Sequence, residues 1–342
     1  MKPTILVVTT VHWPDDTRIR ERLIRTLSSD FDVQYASRTP GPSDRSDLHS
    51  IELRGGRFAR FLRAMRLGLF GTWDLMVIHD PELLPVAVAS RLRRRPVVFD
   101  VHENVPATAL TRDWVPNLLR RPFAAALRMV LRVAECVLAI TLAEAGYASL
   151  FRKEHAVFPN YPDTSAYPTP VEGRREVVYL GDVTVERGAR VLTDACGAIG
   201  VPLRFVGRFA PELHDELSRE GVLFHGQLPN PDALELVRHG GVAVSPLLDT
   251  PNYRHSAPTK ILEYLALGLP VVATDLPGTR KLTEGLDAVQ LVPPGNSGLL
   301  SAAIERSLAP GARLIASEQA DTIKRAFRWP ADDVSKFYRS LV

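Results

Sequence analysis

Short apolar, β-branched runs alternate with helix-length segments from one end of the chain to the other. That alternation predicts an α/β protein built from two doubly wound parallel-sheet domains. Two further observations set the count at two. The 342 residues exceed one ordinary core and suit two domains of about 150 residues each. Proline, glycine and polar residues gather at Pro159-Asn160-Tyr161-Pro162-Asp163 and over Pro168–Gly173, which splits the strand candidates into two equal sets.

In the first set the strands are predicted at Thr4–Thr10, Val33–Ser37, Leu75–His79, Val97–Val101, Val137–Thr141 and Ala156–Phe158. In the second they fall at Val177–Gly181, Leu203–Gly207, Val222–His225, Val242–Ser245, Val271–Thr274 and Val289–Val292. These runs are apolar throughout, the pattern of strands covered on both faces. The domains are accordingly 1–160 and 161–326. The last segment, 327–342, reads as a helix with Pro330 in its first turn and with Phe337, Tyr338 and Leu341 in need of a surface to cover. In sheets of this kind ligands bind outside the carboxyl ends of the strands. Two such sheets facing each other would place a site in the cleft between them, so the residues just after each strand carry the functional reading.

Composition narrows the classes. Hydrophobic residues make up 45% and charged residues 24%, values of a globular protein and not of a disordered one. Cys136 and Cys196 stand far apart in apolar surroundings, which fits buried reduced thiols and excludes a disulfide framework or a zinc pattern. Met1–Val8 runs straight into a strand with no cleavage-site pattern, and no stretch reaches the roughly 20 apolar residues of a membrane span. A cytoplasmic protein is the expectation.

Charge is uneven. Residues 1–160 hold 23 Lys and Arg against 17 Asp and Glu, a net +6, whereas the remainder holds 19 against 22, a net −3. The excess lies in two stretches. One carries Arg54, Arg57, Arg60, Arg63 and Arg66 among Phe58, Phe61, Leu62, Met65, Leu69 and Phe70; the other carries Arg120, Arg121, Arg128 and Arg132 among Leu118, Leu119, Phe123, Leu127 and Val130. Each reads as an amphipathic basic helix. The plainer account is a helix packed on its own domain with a solvated arginine edge; the other is weak peripheral contact with the inner face of an anionic membrane. No nucleic-acid-binding motif accompanies the charge, so nucleic acid is not an expected partner.

The richest stretch runs from His255-Ser256-Ala257-Pro258-Thr259-Lys260 through Glu263-Tyr264-Leu265-Ala266 and Gly268 to Pro270-Val271-Val272-Ala273-Thr274-Asp275. It reads as a loop opening a helix, a glycine stop and a buried strand. Backbone N–H groups at a helix start favour an anion, commonly a phosphate. Lys260 falls in the first turn, and Glu263 one turn later suits a cis-diol because a carboxylate only accepts hydrogen bonds. On its own the stretch fits equally well an ordinary helix start with a surface Lys–Glu pair.

The same residues resemble the donor signature of retaining glycosyltransferases of the GT-B fold, family four (group 1), in which two Rossmann-like domains face across a cleft. In that family one glutamate of the signature holds the ribose and another contacts the donor sugar. Glu263 matches the first, and His255 stands at the second, a departure. Val177–Leu180 followed by Gly181-Asp182 and Arg187-Gly188 resembles the family's strand, Gly-Arg and Lys-Gly segment, whose basic residues grip the diphosphate. Arg187 stands for the lysine, while Asp182 stands where an arginine is usual. Val206-Gly207-Arg208-Phe209 and Phe224-His225-Gly226 are similar to segments lining the base pocket, and Tyr253 and Arg254 precede the phosphate loop. Phe327-Arg328-Trp329-Pro330 resembles the start of the family's C-terminal helix, which packs back on the N-terminal domain.

In the N-terminal half Phe99-Asp100-Val101-His102-Glu103-Asn104 follows a strand directly, and a family histidine in this place contacts the transferred sugar. His79-Asp80-Pro81-Glu82 follows another strand, and Thr10–Arg18 resembles the Asp-x-Arg opening of some members without the glycine pair of others.

The resemblance therefore implies a retaining, hexose-type glycosyltransferase using a nucleoside-diphosphate sugar as co-substrate, with no resident cofactor and no metal. His102, Arg187 and Lys260 carry catalysis. Glu263, Gly181, His255, Ser256, Ala257, Thr259, Arg254 and Gly207 bind the donor, and Asp16, Arg18, His79, Asp80 and Glu103 face an unidentified acceptor. Two rival readings stay open, a nucleotide-sugar 2-epimerase and a catalytically silent binding module. The absence of a Gly-x-Gly-x-x-Gly turn, a Walker loop and a Gly-x-Ser-x-Gly elbow argues against dehydrogenases, P-loop enzymes and α/β-hydrolases.

Overall fold

The computed structural model describes residues 2–14, 16–38, 49–110, 115–162, 164 and 167–342. Asp15 and Asp163, within stretches quoted above, lie outside the described residues. The chain forms two compact units, Met1–Asn160 with Trp329–Val342, and Tyr161–Arg328.

The first unit is a seven-stranded parallel sheet. Its strands are β1 (Thr4–Val8), β2 (Asp32–Ser37), β3 (His49–Glu52), β4 (Leu75–Ile78), β5 (Val97–Val101), β6 (Ala139–Leu142) and β7 (Ala156–Val157). They lie in the order β3-β2-β1-β4-β5-β6-β7, so the chain reverses its winding between β1 and β4. Successive side chains point to opposite faces of a strand, and both faces are covered. Leu6, Val8, Ile78, Phe99 and Ile140 meet helices Arg57–Phe70, Leu84–Leu92 and Asn117–Ala134 through Ala64, Val86, Ala87, Leu131 and Ala134. Ile5, Val7, Val77 and Val98 meet Ile19, Leu23, Leu27, Val334 and Tyr338 on the other face. The helix Ala331–Arg339 thus completes this core, and the Trp329 indole N–H donates to Thr26 Oγ1 at 2.9 Å.

The second unit is a six-stranded parallel sheet of β8 (Val177–Leu180), β9 (Leu203–Val206), β10 (Val222–Phe224), β11 (Val242–Ser245), β12 (Val271–Thr274) and β13 (Val289–Val292), in the order β10-β9-β8-β11-β12-β13. Its two cores again take alternate residues of each strand: Val177, Tyr179, Phe205 and Val244 on one face, Val178, Val206 and Ala243 on the other. The second face is filled by the helix Lys260–Ala266, whose Ile261, Leu262, Tyr264 and Leu265 are fully buried.

Three differences from the sequence reading stand out. The edge strand β3 was not expected, because His49-Ser50-Ile51-Glu52 offers one apolar residue and no β-branched run. Several strands end one or two residues early, so Thr9, Thr10, His79, Gly181, Gly207 and His225 lie in the loops beyond the sheet. Cys136 is exposed, just past the helix Asn117–Ala134, and not buried as expected. Cys196 is buried, and that burial pushes its thiol up to about 12. Among the described residues no helix is long and apolar enough to cross a membrane.

Candidate functional site

Two clusters occupy strand ends, one in each unit. In the second unit, β8 is held at its end by the fully buried Tyr264, whose hydroxyl accepts the Leu180 N–H at 2.8 Å. The next residue, Gly181, has φ +123°, and a Cβ there would lie 3.3 Å from Lys260 Nζ and 3.6 Å from Arg187 Nη1. Two cations from different elements therefore converge on one stretch of bare backbone. Gly207 closes the neighbouring strand at φ +151°, where a Cβ would stand 2.0 Å from the Gly181 carbonyl oxygen. Only glycine fits there.

Lys260 opens the helix Lys260–Ala266. Its ammonium donates to Tyr179 Oη at 3.0 Å and sits 4.1 Å from that ring's centroid, while the Tyr179 hydroxyl donates to the Asp182 carbonyl at 2.8 Å. Arg187 Nε donates to Tyr253 Oη at 3.3 Å. Burial, then the like charge of Arg187, holds the Lys260 ammonium well below its usual value, against the opposing pull of Glu263 and Asp182. Among the described residues neither cation has a carboxylate within ion-pair distance; phenols are their neighbours. An incoming anion would relieve both the repulsion and the desolvation.

The loop before this helix donates fewer N–H groups than the sequence suggested. Ser256 N–H is spent on the Tyr253 carbonyl, and those of Ile261, Leu262 and Glu263 go to Pro258 and Thr259 carbonyls. The amides of Thr259 and Lys260 have no acceptor among the described residues. Gly278 locks the loop from behind: its N–H donates to the Arg254 carbonyl at 3.1 Å, and a Cβ on it would meet the Ser256 carbonyl at 2.2 Å. Ala257 is half-buried in this loop, His255 is exposed, and Arg254 faces Asp249 at 3.6 Å. Glu263 Oε1 accepts from Tyr167 Oη at 3.2 Å. Asp182 is paired with Arg208, whose Nε lies 3.0 Å from its carboxylate. A cation absent at position 182 thus returns on the adjacent strand end.

In the first unit the cluster gathers behind β1, β4 and β5. Asp100, 2% exposed, accepts from Arg18 Nε at 3.0 Å, Arg18 Nη2 at 2.8 Å and Thr141 Oγ1 at 2.8 Å, with His79 Nδ1 3.4 Å away. Arg18 also donates to the Phe158 carbonyl at 2.9 Å and lies 5.5 Å from the Trp329 ring. Burial would raise the Asp100 carboxyl, but the Arg18 charge and the His79 and Arg18 hydrogen bonds hold it well below the usual range. Asp80 accepts from Thr9 Oγ1 at 2.9 Å and Thr10 N–H at 2.6 Å, fixing the loop after β1. Asp16 caps the helical segment from Thr17 by accepting from Arg18 and Ile19 N–H.

His102 is half-buried. Its ring stacks on His12 at 4.7 Å and meets His79 edge-on at 4.8 Å. Burial, then the positive charge His79 would carry, keeps its imidazole well below the usual value, so it is neutral. Its Nε2 is hidden from solvent and has no partner among the described residues. Glu103 is exposed beside it. His79, Asp100 and His102 lie close enough for a metal ion, within 4.8 Å, yet Arg18 already engages both Asp100 oxygens. His12, not singled out from sequence, contacts Asp16 at 3.3 Å and Asp80 at 3.5 Å. Burial would lower its pKa, but the Asp16 hydrogen bond and the charges of Asp16, Asp80 and Glu103 raise it to about 9.

These two parallel-sheet units have the architecture of GT-B glycosyltransferases. Residues 174–309, which include Gly181, Arg187, Lys260 and Glu263, match the family described as Glycosyl transferases group 1. The matched residues all lie within the second unit. Over 133 residues the chain is 28% identical to the putative teichuronic acid biosynthesis glycosyltransferase TuaC of Bacillus subtilis, a match that spans 39% of this chain and 33% of that protein. Among solved structures, sucrose-phosphate synthase from Thermosynechococcus elongatus is similar at a TM-score of 0.75 and 17% identity, over 100% of this chain and 99% of that one. Anabaena HepE in complex with UDP and glucose is similar at 0.73 and 16%, over 99% of each. WaaG, involved in lipopolysaccharide biosynthesis, is similar at 0.70 and 14%, over 97% and 99%. Identities this low establish the fold.

Proposed function

We propose that the chain transfers a hexose-type sugar from a nucleoside-diphosphate donor to an acceptor, with retention of anomeric configuration and without a resident metal or cofactor. The observation that carries this reading is the convergence of Arg187 and Lys260 on Gly181 inside the family-matched region. The bond from the anomeric carbon to the diphosphate breaks as an acceptor hydroxyl oxygen bonds that carbon; negative charge grows on the leaving diphosphate, which takes up the hydroxyl proton. Two preorganised, partly desolvated cations with the amides of Thr259 and Lys260 suit that charge, and such stabilisation is usually the largest catalytic contribution. Asp182 alone would repel the diphosphate; its pairing with Arg208 removes that penalty.

Glu263 accepts the ribose hydroxyls, a role consistent with its present acceptance of the Tyr167 hydroxyl. His102 offers a neutral imidazole whose unpartnered Nε2 suits a sugar hydroxyl. His255, exposed in the donor loop, replaces an acceptor-only group with one that also donates, which alters donor-sugar preference. The known binding of UDP and UDP-glucose by Anabaena HepE supports a nucleoside-diphosphate sugar as the ligand class. A cytoplasmic setting at the inner membrane face fits this chemistry.

A calorimetric screen of UDP, GDP, ADP and dTDP tests the donor assignment, followed by donor turnover with and without an acceptor panel and by NMR of the product anomer. No binding of any nucleoside diphosphate would overturn the proposal. Conversion of the donor to its 2-epimer without acceptor, or tight binding without turnover under any acceptor, would replace it by one of the rival readings.

A further inference from the structure

The two basic helices that look alike in sequence differ in the structure. On Arg57–Phe70 three of the four arginines serve their own unit: Arg57 pairs with Glu82, Arg60 donates to the Thr10 and Gly55 carbonyls, and Arg63 donates to the Arg54 carbonyl. On Asn117–Ala134 only Leu131 and Ala134 are fully buried. Leu118 is 89% exposed, Leu119 54%, Phe123 37%, Met129 56%, Val130 48% and Val133 60%. At about 100° per residue these six fall within an arc of about 140°, turned away from Leu131 and with Ala134 just past its edge. Arg121, Arg128 and Arg132 line one edge of that arc, and the helix carries no acidic residue. Among the described residues Arg121 and Arg128 have no hydrogen-bond or ion-pair partner.

The surface continues beyond this helix. Helices Arg57–Phe70, Leu84–Leu92 and Asn117–Ala134 cover the same face of the sheet, so their outward sides share one layer. Phe58, Leu62, Phe70 and Leu92 are exposed on it, with Arg93 5.8 Å from the Phe70 ring and Arg91 donating to the Val137 carbonyl. An exposed apolar arc of this kind is uncommon on a free monomer and marks a docking surface. Two unpaired arginines, Arg121 and Arg128, on a helix without acidic residues say what it docks on. We propose that the Asn117–Ala134 face lies flat on an anionic lipid surface. Its apolar arc enters the headgroup–acyl boundary, and Arg121, Arg128 and Arg132 reach the headgroup phosphates on their aliphatic stems.

Co-sedimentation of the full chain with vesicles tests this, using phosphatidylcholine alone or with about a third phosphatidylglycerol. The protein should partition onto the anionic vesicles, and salt should weaken binding. Arg121→Glu with Arg128→Glu should lower the partition coefficient tenfold or more, given roughly a fivefold contribution per arginine at such a surface. Leu118→Ser with Val133→Ser should lower it as well. All four positions lie outside the sugar-transfer machinery, so unchanged circular dichroism and nucleotide affinity show that the variants fold. Equal binding to neutral and anionic vesicles, or none to either, overturns the proposal. So does concentration-dependent self-association that Leu118→Ser with Val133→Ser abolishes, which would make a second copy the occupant.

Discussion

Arg18→Met should destabilise the first unit by about 3–5 kcal/mol at neutral pH, the cost of breaking a buried ion pair from one side. Asp100, 2% exposed, loses two of its donors, and the Phe158 carbonyl loses one. Thr141 and His79 remain, too few to solvate a carboxylate without its counter-charge. The pH dependence carries the sign. Arg18 depresses the folded-state value of Asp100, so the pair's stability is present above the unfolded carboxylate value of about 4 and is lost as pH falls through the folded value. In Arg18→Met that folded value rises, so the gap to wild type should narrow towards pH 4. Urea unfolding read by tryptophan fluorescence is the assay. Residues 161–328 contain no tryptophan, so the signal does not come from the second unit. Adding Asp100→Leu should recover much of the loss, since replacing both partners removes the stranded charge. An Arg18→Met midpoint shift worth under about 1 kcal/mol would refute this account of the pair.

Lys260→Ala and Arg187→Ala should each cost about 2–4 kcal/mol in kcat/KM, and unchanged values in both would remove the phosphate clamp. Glu263→Ala should mainly weaken the Kd for the free nucleoside diphosphate, measured by calorimetry; an unaltered Kd counts against a ribose contact. Arg208→Ala should weaken the same Kd about tenfold by exposing the diphosphate to Asp182, and Asp182→Asn in that background should restore it. His12, raised to about 9 and with its side chain 19% exposed, contributes stability fully present below about pH 6.5 and lost as pH rises through 9, about 3 kcal/mol at most. His12→Asn should flatten that loss in the tryptophan-monitored midpoint, and a wild type equally stable at pH 7 and pH 10 would dismiss it.

The strands that build both cores were legible because each supplies side chains to two buried faces, and an unbroken apolar run is what that requires. β3 was not, since an edge strand with Ile51 as its one apolar residue has little burial to announce it. The motif at 255–275 was readable because the Lys260 helix, its glycine stop and β12 follow without interruption. Residues joined only by the fold were harder. His12 stacks on His102 because β1 and β5 flank β4, a relation no local spacing shows. Arg208 meets Asp182 because β8 and β9 pair in parallel register. One signal was available: Gly181-Asp182 and Gly207-Arg208 end consecutive predicted strands, and opposite charges at equivalent positions suggest a cross-strand pair.

The two clusters differ in how their charges are balanced, and this difference supports the proposed placement of the diphosphate at the second. In the first unit the buried charges behind β1, β4 and β5 are paired with opposite sign: Arg18 with Asp100, and His12 with Asp16 and Asp80. Such pairing orders the strand ends but leaves no net field for a charged ligand; what it leaves is a neutral, unpartnered imidazole on His102, fit for a hydroxyl. In the second unit the balance is deliberately incomplete at Arg187 and Lys260, whose neighbours are the phenols of Tyr179 and Tyr253. Phenols orient a cation without neutralising it. A protein that needed only stability there would gain by placing a carboxylate beside either residue, and Asp182, whose charge acts on both, is instead drawn onto Arg208. Positive charge held in reserve beside a glycine backbone is what a pyrophosphate requires, and the same logic predicts that Tyr253→Glu, by supplying the missing counter-charge, would weaken nucleotide binding more than Tyr253→Phe.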